Sequence, residues 1–201
     1  MLRIFLLGII TTCAPLAVAQ NITVLVLGDS ISAAYGLSQE QGWVTLLQAR
    51  LSDRDPSYRV VNASISGDTS SGGLQRLPQA LVTHDPDIVI IELGGNDGLR
   101  GQSLKNLRQN LEEMTRLSQA AGAKVLLLGM QIPSNYGPAY TERFSAAFTR
   151  VAKDTGAALM PFFLEPIGKD RTHFQSDGIH PSAAAQPLLL DGMWPYLEAL
   201  L

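Results

Sequence analysis

The chain has 201 residues, of which 46% are hydrophobic and 16% charged, enough apolar content to bury a core and a length that suits one domain better than two. Its formal charge of -3, without a long Lys/Arg block, leaves no field to attract nucleic acid or anionic lipid. No nucleic-acid partner and no stable membrane insertion are therefore expected.

The chain begins with Arg3, an apolar run at 4–10 and then Ala17-Val18-Ala19, the pattern of a secretory signal peptide with cleavage after Ala19. The run is too short to span a bilayer comfortably. Cys13 raises a lipoprotein alternative, but Thr11-Thr12 precede it where a lipidation site wants small or aliphatic residues. Residues 1–19 are read as the signal and 20–201 as a single domain. The one cysteine then leaves with the signal, which removes cysteine catalysis and thiolate metal ligation from consideration.

Short apolar, β-branched runs follow at 22–27, 58–61, 87–93, 124–130 and, more weakly, 157–160. They are nearly continuous, as strands buried on both faces should be. Helix-length amphipathic segments lie between them at 43–51, 73–82, 104–121 and 140–154. The alternation predicts an α/β protein with a parallel sheet wrapped by helices. A closing helix at 183–201 is expected to be interrupted by Pro187 and again near Pro195.

In such sheets the ligand crevice lies at the carboxyl ends of the strands. The first strand ends in Gly28-Asp29-Ser30, where the Ser30 hydroxyl and amide can face the crevice, although either Asp29 or Ser30 could equally cap a helix. After the second strand, NASISGDTSSGGL at 62–74 includes Gly67, whose amide can approach a ligand with no side chain in the way. Ser66, Asp68 and Thr69 read better as turn and cap residues. The third strand runs into LGGNDGLR at 93–100, where Asn96 can offer its side-chain amide to an oxyanion. A phosphate cradle is the weaker alternative, because neither a Gly-Lys-Ser/Thr string nor G-x-G-x-x-G is present. The turn 98–101 is expected to be a mobile lid segment on its glycine spacing.

Of three histidines, His84 precedes Asp85-Pro86 on the far side of the sheet, and His173 lacks an acid at short spacing and reads as structural or substrate-lining. His180 follows Asp177 by three positions across Gly178, a turn that can bring the carboxylate to Nδ1 and leave Nε2 to take a serine proton. His173, Asp177 and His180 could also be taken as metal ligands on one helix face, but Gly178 and Pro181 argue against that helix. A flavodoxin-like nucleotide-binding module is the non-catalytic alternative.

With GDS at Ser30, a glycine at Gly67, GGND at Asn96 and D-x-x-H at Asp177 and His180, all in order, the sequence resembles the SGNH (GDSL-type) hydrolases. The likeness runs through nearly all of 20–201 and is nearest the bacterial periplasmic thioesterase I, lysophospholipase L1 and arylesterase group, whose pattern SGDTSSGGL, MQIPSNYG and DGIHP also resemble. Ile31 and Ser134 depart from it, standing where Leu and a second Pro are usual. The resemblance implies a flavodoxin-like three-layer sandwich with a five-stranded parallel sheet. It also implies a Ser30–His180–Asp177 triad, and an oxyanion hole of the Ser30 and Gly67 amides with the Asn96 side chain. By the same resemblance no cofactor or metal is needed, the substrate is a small acyl ester or thioester, possible lysophospholipid included, and the protein is a monomer. Leu99, Ile132, Pro133 and Tyr136 are candidates to line an acyl groove.

Overall fold

The computed structural model describes residues 21–168 and 170–201, so the expected signal segment and Cys13 lie outside the described residues. Five strands, β1 (Ile22–Gly28), β2 (Tyr58–Asn62), β3 (Ile88–Glu92), β4 (Lys124–Leu128) and β5 (Ala158–Met160), form one parallel sheet in the order β2-β1-β3-β4-β5. Six helices accompany them: α1 (Trp43–Arg54), α2 (Ser70–His84), α3 (Gly95–Leu99), α4 (Leu104–Ala120), α5 (Pro138–Thr155) and α6 (Gln186–Glu198).

The continuous apolar runs are explained by the layers. Val24 to Leu27 of β1 are fully buried, as is nearly all of β3, because helices cover both faces. Helices α1 and α6 pack together on one side, while α2, α4 and α5 pack side by side on the other. Fully burying each Leu or Ile of these strands contributes about 1.5–3 kcal/mol. One continuous apolar cluster takes in residues from all five strands. Among the described residues no helix is long and apolar enough to cross a membrane.

The expected elements are present, with shifted ends. Strand β3 is shorter than 87–93 and β4 shorter than 124–130, since the chain turns out of the sheet as soon as the ladder ends. Helix α2 starts three residues earlier than expected, where the Thr69 hydroxyl accepts the Gly72 N–H. The closing helix is not broken as expected. Pro187 sits in the first turn of α6, where its missing N–H costs nothing, and the helix runs on through Pro195. The turn expected as a lid at 98–101 begins in α3, and the hydroxyls of Tyr136 and Tyr140 donate to the carbonyls of Leu99 and Gln102.

This strand order reverses direction at β1, leaving a crevice between the carboxyl ends of β1 and β3. The loops after β1, β2 and β3 converge there.

Candidate active site

Ser30 stands two residues beyond β1, at the start of a run of turns covering 30–36, and caps no helix. Asp29 shapes this bend: its Oδ1 accepts the Ile31 N–H at 3.1 Å and its carbonyl accepts the Ala33 N–H at 2.9 Å. The Ser30 hydroxyl is thereby left to face the crevice.

Gly67 lies on the loop after β2, which keeps hugging β1 through Ala63 N–H to the Val26 carbonyl and Ile65 N–H to the Gly28 carbonyl. The chain then turns back with Asp68 N–H donating to the Ile65 carbonyl at 3.1 Å. Gly67 is the third residue of that turn with φ +80°, the position where a type II turn demands glycine. Asp68 and Thr69 have the turn and cap roles read from the sequence, and Asp68 also pairs with Arg76 at 2.8 Å. Arg76 further donates to the carbonyls of Ala63 and Gly28, stapling this loop to the end of β1.

Asn96 is in α3, directly after β3. Its neighbour Asp97 is buried and accepts both the Ser70 N–H at 2.9 Å and the Ser70 hydroxyl at 2.5 Å, which ties α3 to the start of α2. The Asn96 amide donates to Asp29 Oδ2 at 3.1 Å and to the Asp68 carbonyl at 2.9 Å. Among the described residues the backbone N–H groups of Ser30 and Gly67 donate to no backbone acceptor.

His180 arrives from the other end of the chain on a hairpin-like loop. Gln175 N–H donates to the His180 carbonyl at 2.8 Å, Phe174 and Pro181 form an antiparallel bridge, and Gly178, at φ +69°, makes the tip. The expected acid-to-base contact is there: His180 Nδ1 is 2.7 Å from Asp177 Oδ2, and Asp177 Oδ1 accepts the backbone N–H groups of Ile179 and His180. These bonds, the imidazole first, hold the Asp177 carboxyl down at about 2. On its other side His180 Nε2 is 2.9 Å from Ser30 Oγ. The result is an unbroken relay of carboxylate, imidazole and hydroxyl, able to draw a proton from the hydroxyl as it attacks a carbonyl.

His84 ends α2, away from the crevice, and His173 turns its Nδ1 to the Ile167 carbonyl at 3.2 Å. His173, Asp177 and His180 do not share a helix face, since His173 belongs to a single 3-10 turn and the other two to the hairpin. No group of three or more His, Cys, Asp or Glu among the described residues is arranged to hold a metal ion.

Beside the relay opens a cleft of about 310 Å³. Leu99, Ile132 and Pro133 line it as expected, joined by Met130, Leu164 and Phe174. Tyr136 is not in the lining and instead fastens the Leu99 carbonyl.

Several contributors escaped the sequence reading. The Tyr35 ring packs on His180, with centroids 4.4 Å apart, after Ala34 takes a positive φ of 57° that costs an alanine roughly 1–2 kcal/mol. Gln175 Nε2 donates to the carbonyls of Tyr35 at 2.7 Å and Pro181 at 3.1 Å, joining the turns after β1 to the hairpin. Beneath Ser30, Glu92 is fully buried against Asp29. Only Glu92 left a signal in sequence, a lone acid ending an apolar strand.

Residues 26–187 match the sequence pattern of the GDSL-like Lipase/Acylhydrolase family. The chain is 59% identical over 179 residues to Esterase TesA of Pseudomonas aeruginosa, covering 89% of both proteins. It is 44% identical over 178 residues to Thioesterase 1/protease 1/lysophospholipase L1 of Escherichia coli, covering 89% of this chain and 84% of the relative. Among solved structures it is similar to the psychrotrophic esterase EstA from Pseudoalteromonas sp., inhibited by monoethylphosphonate. That match has a TM-score of 0.84 and 46% identity, and covers 88% of this chain and 97% of that one. On this fold and these relationships, the chain belongs to the GDSL-like lipase and acylhydrolase family and is a serine hydrolase that acts on ester bonds.

Proposed function

We propose that Ser30 is the nucleophile, His180 its general base and Asp177 the group that orients and stabilises the imidazole. The observation that carries this reading is the 2.9 Å approach of His180 Nε2 to Ser30 Oγ, with Asp177 at 2.7 Å behind the ring. Ser30 attacks the carbonyl carbon as its proton passes to Nε2. The backbone N–H groups of Ser30 and Gly67 meet the negative oxygen, joined by Asn96 Nδ2 when the hydrogen it gives to the Asp68 carbonyl turns to the oxyanion while the other stays on Asp29. Collapse of the tetrahedral species expels the alcohol or thiol with the imidazolium proton and leaves an acyl-serine. Water, deprotonated by His180, then releases the carboxylic acid and regenerates the hydroxyl.

The apolar cleft of about 310 Å³ supports an acyl chain as the part of the substrate that is held, with the leaving group toward solvent. Acyl thioesters and lysophospholipids, for which the Escherichia coli relative is a thioesterase and lysophospholipase, present the same carbonyl as aryl esters, and all three fall within this chemistry. Residues 1–19 act as an export signal on this reading, and residues 20–201 work as one monomeric domain in the periplasm or outside the cell. The composition of the first nineteen residues supports export.

Ser30→Ala decides the reading. Hydrolysis of p-nitrophenyl butyrate should fall by on the order of 10⁶-fold in kcat, by analogy with other serine nucleophiles. A phosphonate probe should label the wild type and not the variant. Wild-type turnover in Ser30→Ala would overturn the assignment.

A further inference from the structure

Asp29 precedes Ser30 and is almost wholly buried, yet the relay does not use it. Each of its carboxyl oxygens has a different donor. Oδ1 takes the Ile31 N–H and so shapes the bend that carries Ser30, while Oδ2 takes Asn96 Nδ2, both at 3.1 Å. The remaining contacts fix the Asn96 amide as well: Nδ2 also donates to the Asp68 carbonyl at 2.9 Å, and Oδ1 accepts from Arg100 at 3.3 Å. Exchanging the nitrogen and oxygen of Asn96 would set oxygen against oxygen and amide against guanidinium, so its orientation is forced.

This arrangement requires two acceptors at position 29. A carboxylate supplies both. A neutral acid carries a hydrogen on one oxygen and an amide carries two in its place, so either turns a donor toward a donor. Beneath Asp29, the fully buried Glu92 accepts the Asp29 N–H at 3.3 Å and the Ser32 hydroxyl at 2.8 Å through Oε2, while Oε1 has no partner. Packing there is tight: a Cβ on Gly28 would stand 2.9 Å from Glu92 Oε2. Two carboxyls in contact in such a place do not both ionise.

We infer that Asp29, ionised, is a positioning residue that couples the bend of the nucleophile to the oxyanion donor Asn96, with Glu92 as the neutral acid beneath it. This rests on the acyl-transfer reading above. Burial raises the Asp29 carboxyl to about 6, and burial followed by the Asp29 charge raises Glu92 well above the carboxylate range, which puts the shared proton on Glu92 at neutral pH. The other groups facing Asp29 are consistent with that. His180 favours the ionised form when charged, Arg76 holds the Gly28 carbonyl, and Arg100 holds the far side of Asn96. Asp177, held at about 2, stays ionised across the relevant range and cannot supply the transition.

Activity therefore needs the Asp29 carboxylate in addition to a free Nε2 on His180 to take the serine proton. Asp29 is charged above about 6 and loses its double acceptor role as pH falls through that value. The test is the dependence of kcat/KM for p-nitrophenyl butyrate on pH, from about 4 to 8, in the wild type, Asp29→Asn and Glu92→Gln. The wild type should lose activity on the acid side with a limiting two-proton slope. Asp29→Asn should fall about 100-fold at neutral pH, chiefly in kcat with KM little changed, and retain a one-proton slope. Glu92→Gln mimics the neutral acid and should stay within about threefold of wild type, with the two-proton slope intact.

A one-proton slope in the wild type overturns the inference, whether or not the variants fold. So does Asp29→Asn within about threefold of wild type, or Glu92→Gln as impaired as Asp29→Asn. Failure of the underlying reading shows differently, as full activity in Ser30→Ala.

Discussion

The two halves of the site are built on opposite principles. Ser30, Gly67 and Asn96 sit at the ends of β1, β2 and β3, and the polar groups that hold them, Asp29, Glu92, Asp97 and Ser70, are buried. His180 and Asp177 sit on a hairpin outside the sheet, with 18% and 37% of their side chains exposed, and their loop closes on backbone bonds and on Gln175. The nucleophile side is thus continuous with the core, whereas the base side is laid against it. Residues that matter equally for turnover should differ sharply in what they contribute to stability.

The largest effect expected on the base side is that of Asp177→Asn. An amide there presents a donor to Nδ1 and selects the tautomer that leaves Nε2 protonated, so kcat should fall about 10⁴-fold. Since the side chain is partly exposed and can keep one oxygen for the backbone N–H groups of Ile179 and His180, the melting temperature should scarcely move. A large loss of stability in Asp177→Asn, measured by calorimetry, would break the contrast between the two halves.

Asp97→Ala tests the other half. Removing this carboxylate strands the buried Ser70 N–H and hydroxyl, at about 1–3 kcal/mol for a buried donor left unsatisfied. For a protein of this size, that lowers the melting temperature by roughly 2–4 °C per kcal/mol. Turnover should decline less than in Asp177→Asn, because Asn96 keeps its bonds to Asp29 and Asp68. An unchanged melting temperature would show that the buried network is not what fixes α3.

How legible each half was in the sequence follows the same division. The strands were readable because burial on both faces forces continuous apolar runs, and the turns after them because glycine marks the places where backbone must bend or come close. Asp177 and His180 were readable because their contact is local, three residues apart. What spans distance in the chain was not. Tyr35 meets His180, Gln175 meets Tyr35, and Glu92 meets Asp29 only after the sheet has placed β3 beside β1. The proline error in α6 had a different origin: a proline breaks a helix in its interior but begins one in its first turn, and periodicity alone did not say where the helix began.

Gln175→Ala gives the smallest effect and the finest test. Its amide hydrogens reach the carbonyls of Tyr35, in the turns after β1, and of Pro181, in the hairpin. Neither bond touches substrate, and the side chain lies at the surface end of the site. Losing them should leave the melting temperature within a degree or so of wild type, since exposed hydrogen bonds are largely replaced by water. If the hairpin is only laid against the core, the Nε2 to Oγ approach then becomes one conformation among several, and kcat falls roughly tenfold, the equivalent of about 1.4 kcal/mol. KM should not change, because the apolar cleft is untouched. An activity equal to wild type would mean that the stacking of Tyr35 on His180 and the bridge between Phe174 and Pro181 hold the base without this clamp. The base side would then be firmer than its exposure implies.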